Sequence, residues 1–179
     1  MSSSAVLDVW ETIAADAAAE SQLWADTLRP ESEQEREPVF SPLAEERFGL
    51  GLETIYEGYL VHYGSPRLFA PADQDTALLL GDYLYAHGLV RIAAFGEVAA
   101  VGDLSELISL CSQLQAEQSG GEGPLWAATA SLLGRGALDE ALAALRLHGD
   151  ASELDAAARE AAGDEPVTRA LAAHARRLR

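Results

Sequence analysis

Glu53, Glu57 and His62 lie close together on one predicted helix, and carboxylates beside an imidazole are the side chains that hold divalent metals. Helical ligand sets place such groups at i and i+3 or i+4 on a single face. This trio misses that carboxylate–histidine spacing, so no metal site is read there. Asp73 and Asp75 form an isolated pair just past a proline and read as a helix cap. Asp82 stands alone in an apolar run, where a carboxylate is paired with an arginine, caps a neighbouring element or meets a ligand. Pairing or capping is the preferred reading. His87 is taken as a satisfied core or surface histidine rather than a general base. Ser105 and Cys111 have no histidine close by in sequence, and neither a Gly-x-Ser-x-Gly elbow nor a phosphate-cradling glycine motif occurs. One cysteine excludes a disulfide framework and a Cys-based metal site within the chain, and no cofactor is expected.

The aromatic residues are the other candidates. Tyr56, Tyr59, Tyr63, Tyr83 and Tyr85 either line a lipophilic pocket between two central helices or fill the core, and core is preferred. Trp10 and Trp24 sit on one N-terminal helix, where they form either a docking face or ordinary packing against the next helices. Trp10, Trp24, Tyr56, Tyr59, His62, Asp82 and Tyr83 are therefore the residues to follow as a partner-binding surface or pocket.

Helices must position all of them. The stretch from Ala77 to Gln115 organises the reading: Leu79, Tyr83, Ala86 and Val90 recur at intervals of three and four, and Leu80, Leu84 and Leu89 widen the stripe. That pattern predicts a helix buried inside a bundle. Gly81 and Gly88 lie on one face of it and cost helix propensity, which predicts a second backbone passing close by. Before it, Ser2 to Ser4 offer an N-cap for one amphipathic helix reaching Leu28 and stopped by Arg29-Pro30. The acidic, Pro-bounded run Glu31 to Glu37 reads as a mobile linker (31–42) that separates this helix (1–30) from the main body (43–179). A second long helix is predicted over Leu43 to Tyr63 and stopped by Gly64-Ser65-Pro66. The short connection that follows makes it an antiparallel neighbour of the central helix. Gly96 and Gly102 bracket a weak segment before a helix from Leu104 to Gln118. Ser119 to Pro124 is the clearest loop. Leu125 to Leu133, Leu138 to Leu147, Ser152 to Ala162 and Pro166 to Leu178 then read as four shorter, Ala-rich helices, with Asp150 or Ser152 as a cap.

The chain of 179 residues is long enough for one well-buried domain. Val-, Ile- and Thr-rich alternating runs are missing, so the fold class is all-α. A formal net charge of −17, with arginine as the sole basic residue type, disfavours nucleic-acid and anionic-membrane binding. The basic end Arg176-Arg177-Leu178-Arg179 reads as cations opposing a helix macrodipole. No signal peptide is evident, and Asp82, Arg91 and Glu97 interrupt the longest apolar run, so no transmembrane segment and a cytoplasmic location are expected.

Taken in order, Glu53-Thr-Ile-Tyr-Glu-Gly-Tyr-Leu-Val-His62, Ala77-Leu-Leu-Leu-Gly-Asp-Tyr-Leu-Tyr-Ala86 and Leu104-Ser105-Glu106 resemble the trans-isoprenyl diphosphate synthase (polyprenyl synthetase) family. The likeness covers about residues 43–118; 124–179 depart from it. It implies a helical bundle like part of the synthase fold. It also implies that two aspartates should follow His62, beginning a cluster that holds Mg²⁺ against an allylic diphosphate. This chain has Tyr63 and Gly64 there, Asp-Asp-x-x-Asp occurs nowhere, and the basic pair expected after the motif is reduced to Arg67. The resemblance therefore implies a protein without catalytic activity of its own: a small or regulatory subunit whose partner is a larger catalytic synthase subunit, or a homo-oligomer. The alternative is a helical scaffold or adaptor of an unrelated assembly.

Overall fold

The computed structural model describes residues 8–178. Its centre is α3 (Gly49–Tyr63), which is buried continuously from Gly51 to Val61. This corrects the expectation that the chain is arranged around the Ala77–Gln115 stretch. The helix that follows, α4 (Gln74–Ala93), packs antiparallel along α3 as the short connection predicts. Their glycines make the approach possible: a Cβ on Gly58 would meet the Gly81 carbonyl at 3.0 Å, and one on Gly88 would lie 2.4 Å from Ile55 Cγ1 and 3.0 Å from the Gly51 carbonyl. The propensity lost at these glycines is offset by helix contact that no larger residue would allow.

The remaining helices enclose α3 on its other sides. The first segment is two helices rather than one, α1 (Val9–Glu20) and α2 (Gln22–Thr27), because Ser21 adopts extended backbone and its hydroxyl caps α2 through the Leu23 N–H. Asp8 caps α1 in a reciprocal box with Glu11. The expected cap at Ser2 to Ser4 lies outside the described residues, as does Arg179. Two 3₁₀ turns, Ser41–Leu43 and Glu46–Phe48, replace the first part of the predicted second helix, so α3 begins at Gly49. Helix α5 (Val98–Glu117) starts earlier than expected, runs through Gly102 and packs against α4. The predicted glycine loop is shorter, since Glu122, Gly123 and Pro124 form the first turn of α6 (Glu122–Ser131), where a proline needs no hydrogen-bonded N–H. Helices α7 (Asp139–His148), α8 (Ser152–Ala162) and α9 (Asp164–Arg177) complete the fold close to their predicted bounds. Asp150 accepts from the Ser152 N–H at the start of α8.

The fold is all-α, as expected. Among the described residues the one extended pairing is an isolated antiparallel bridge between Leu28 and Phe69, flanked by Arg29 N–H to Leu68 O (2.9 Å) and Ala70 N–H to Thr27 O (2.7 Å). Those bonds hold the chain after α2 against the α3–α4 connection. Helix α1 is packed onto the main body, with Trp10, Ile13 and Ala17 sharing an apolar cluster with Val61, Leu68, Phe69, Leu80 and Leu84. The acidic stretch after it is likewise held: Glu35 N–H donates to Arg67 O, and the Glu35 carboxylate accepts from Arg177. Arg177 is buried apart from its edge, and its hydrogen bond lowers the Glu35 pKa. The basic C-terminal end therefore spends Arg176 on Glu37 and Arg177 on Glu35. No helix among the described residues is long and apolar enough to cross a membrane.

Helix α4 departs most from expectation. Leu80, Leu84, Tyr85, Gly88 and Ile92 face inward, but Leu78 and Leu79 are about half exposed (55% and 54%) and Val90 is 64% exposed. The stripe Leu79–Ala86–Val90 that predicts burial lies on the outside.

Candidate functional site

The most highly organised group of ionisable residues in the interior is built on α3. Glu53 and Glu57, one turn apart on the same side of the helix, both reach Arg67 in the connection to α4. The Arg67 guanidinium donates through Nη1 to Glu53 Oε2 (2.6 Å) and through Nε to Glu57 Oε2 (2.9 Å). Its Nη1 also donates to the Glu37 carbonyl (3.0 Å). The rings of Trp10 and Tyr56 lie 4.6 Å and 5.0 Å from it, in cation–π contact. All three charged side chains are buried, Arg67 completely. Two carboxylates against one guanidinium leave a formal excess of one negative charge. Four backbone N–H groups offset it: those of Val39 and Ser41 donate to Glu53, and those of Arg67 and Leu68 to Glu57. Burial by itself would lower the Arg67 pKa, and the two carboxylates outweigh it and hold the group above its ordinary value.

A cleft of about 450 Å³ opens beside this node. Val9, Trp10, Pro38 and Pro42 give it apolar walls, while Glu53 and Glu46 give it carboxylates. Such a lining repels a polyanion. Among the described residues no three His, Cys, Asp or Glu side chains converge to hold a metal ion. Asp73, read as a cap, accepts the Thr76 N–H at 2.7 Å, and this bond lowers its pKa.

The seven residues singled out from sequence fall in four places. Trp10 is turned inward onto Arg67, whereas Trp24 stacks on Tyr83 at 5.7 Å, so the two tryptophans do not share a face. Tyr83 in turn stacks on His87, whose Nε2 lies 3.5 Å from Asp16. Arg91, on the next turn, donates to Asp16 and to Thr54, tying α1, α3 and α4 together. Tyr56 and Tyr59 are core. They point away from α4 into a cluster with Trp126, His174 and, for Tyr56, Phe40. His62 and Asp82 form the fourth place, with His62 Nε2 3.3 Å from Asp82 Oδ1. This corrects the reading of Asp82 as a carboxylate in apolar surroundings paired with arginine: its side chain is 66% exposed and its partner is a histidine. The geometry leaves His62 Nε2 without an aligned hydrogen bond, and the contact becomes an ion pair only when the imidazole is protonated. Burial lowers the His62 pKa, and Asp82 opposes that shift.

Sequence reasoning missed His174 and the full part played by Arg67. Two glutamates at i and i+4 on an otherwise apolar helix demand a buried cation, and that demand was legible; which arginine answers it was not. His174 Nδ1 and the Tyr56 hydroxyl are 2.9 Å apart and share a hydrogen bond, while Nε2 has no partner. Burial drops the His174 pKa from 6.5 to about 4, so the ring is neutral at physiological pH. Cys111 is buried, and burial raises its thiol pKa. It is not a nucleophile in this setting.

The position after Tyr63 is closed by the chain itself. Ser65 N–H donates to the Arg177 carbonyl at 2.9 Å, and a Cβ on Gly64 would meet that carbonyl at 2.8 Å. The end of α9 fills the space beside residues 64 and 65. No family model, no curated protein and no solved structure matches the chain.

Proposed function

We propose that this chain is a non-catalytic, prenyl-synthase-like helical protein that serves as the small or regulatory partner of a catalytic polyprenyl diphosphate synthase. The observation that carries the reading is the sequestration of Arg67. It is the one basic residue in the place where the resemblance calls for a diphosphate-binding pair, and every face of its guanidinium is occupied by Glu53, Glu57, the Glu37 carbonyl, Trp10 or Tyr56. A diphosphate would have to displace two carboxylates to reach it. The packing of α9 against residues 64 and 65 supports the same reading, because it leaves no room for a side chain at position 64, one of the two where the resemblance calls for an aspartate. What persists is the antiparallel α3–α4 pair on which the resemblance rests.

Affinity capture of the full chain from its native cell, with mass spectrometry, tests the partnership. Recovery of a full-length synthase is the expected result, whereas a bait that returns only proteins outside isoprenoid metabolism selects the scaffold alternative. Incubation of the isolated chain with allylic diphosphates and Mg²⁺ gives no product on this reading. Turnover would overturn it.

A further inference from the structure

The cleft beside the Arg67 node joins apolar walls to negative charge that the protein leaves incompletely paired. Its volume, about 450 Å³, is that of a small-molecule site. Glu53 and Glu57 are held unequally. Two backbone N–H groups reach each carboxylate, at 2.8 Å for Glu57 but at 3.3 Å for Glu53, and Arg67 adds one side-chain bond to each. An ionised carboxylate offers about four acceptor positions, so Glu53 keeps one open. Of the two glutamates, Glu53 is the one that lines the cleft. Glu46 lines it as well, is exposed, and makes no ion pair among the described residues, while its neighbours Glu45 and Arg47 pair with each other. No cation answers these two carboxylates inside the cleft: among the described residues no arginine lines it, and the Arg67 side chain has no exposed surface.

We infer that the cleft binds a small organic cation, a protonated amine or guanidinium carried on an apolar body. The charged head donates to the open position of Glu53 and meets Glu46, while Val9, Trp10, Pro38 and Pro42 take the body. Other ligand classes fit less well. An anion meets two carboxylates with no cation to offset them. A divalent metal ion would find two carboxylates where a protein-built site supplies more, and no three ligating side chains converge among the described residues. A neutral apolar molecule would cover the open acceptor of Glu53 without giving it a donor, at a cost in affinity. The net charge of −17 adds attraction for a cation at long range. One edge of the cleft is kept clear by the lack of a side chain: Gly49 has helical backbone, and a Cβ on it would meet nothing nearer than Ser41 Cβ at 3.9 Å. The inference does not rest on the synthase partnership, and either can fail without the other.

An amide NMR titration of the full chain with phenethylamine, protonated at neutral pH, tests the inference. Saturating shifts are expected at the Trp10 indole N–H and at the Val39 and Ser41 amides that donate to Glu53, with a dissociation constant on the order of 1 mM, the affinity of a fragment. Phenethyl alcohol, of the same shape without the charge, binds on the order of tenfold more weakly, and phenylacetate leaves these signals unmoved. Gly49→Leu fills the cleft from its open edge and weakens the amine on the order of tenfold or more, with the helical circular dichroism unchanged. Glu46→Gln, on an exposed side chain that holds no packed contact, weakens it about threefold and supplies a second reading independent of packing. An amine that moves none of these signals overturns the inference. So does equal binding of the alcohol, binding undiminished in both variants, or the same shifts with Mg²⁺ alone, which would assign the cleft to a metal ion.

Discussion

The inward side of α3 and the outward side of α4–α5 are built by opposite rules. On α3 each large or charged group has found a counterpart: Glu53 and Glu57 share Arg67, glycines sit against glycines, and Tyr56 meets His174. On the outer face apolar side chains stand in water with nothing opposite, including Val98 at 83% exposure. The first region is where changes should cost stability. The second is where they should leave stability almost untouched.

The largest effect should come from Arg67→Ala. Removing the cation leaves two buried carboxylates facing one another, which costs about 3–5 kcal/mol in urea unfolding. Arg67→Met combined with Glu53→Gln and Glu57→Gln should recover a good part of that, because amides still accept the four backbone N–H bonds without carrying charge. A triple variant no more stable than Arg67→Ala would show that the node acts through packing rather than charge.

His174 should give the next effect, and it depends on pH. Its folded pKa, about 4, lies below the ordinary 6.5, so the unfolded chain takes up a proton that the folded chain refuses. Stability is fully present above about pH 6.5 and falls as the pH drops towards 4, by roughly 3 kcal/mol in all. Replacing His174 with Phe should flatten that part of the stability–pH profile; an unchanged slope would assign the loss to carboxylates.

Gly88→Ala should cost about 1–2 kcal/mol. Overpacking against Ile55 and the Gly51 carbonyl takes about 1–3 kcal/mol, and better helix propensity returns up to about 1. A gain in thermal stability would mean that α3 and α4 can part without loss. The smallest stability effect belongs to Val90→Glu on the outer face, within about 0.5 kcal/mol. A larger loss would put Val90 among the residues that hold the fold and erase the contrast between the two regions.

Much of the architecture was legible in the residues. The stop at Gly64-Ser65-Pro66, the α8 segment Ser152–Ala162 and the close helix approach at Gly81 and Gly88 all follow from local chemistry, and the structure has them. The break at Ser21 was missed because the Ala-rich segment before it and Gln22-Leu-Trp-Ala25 after it both look helical, and the serine that caps α2 carries no unusual signal. Of the candidate site residues, the His62–Asp82 and Trp24–Tyr83 contacts join helices distant in sequence, which no spacing along the chain foretells.

By itself the sequence determined that this protein is helical, where most of its helices lie, that its charge is strongly acidic and that it lacks aspartate-rich clusters. Tertiary structure alone decided which arginine answers Glu53 and Glu57, and which side of α4 is inside. The reason is geometric. Periodicity fixes the angle of each side chain about its own helix axis but not where a neighbouring helix stands, and α4 has apolar residues on both sides; the side that carries Gly81 and Gly88, which lets a backbone come close, took α3 and left Leu79, Ala86 and Val90 facing out.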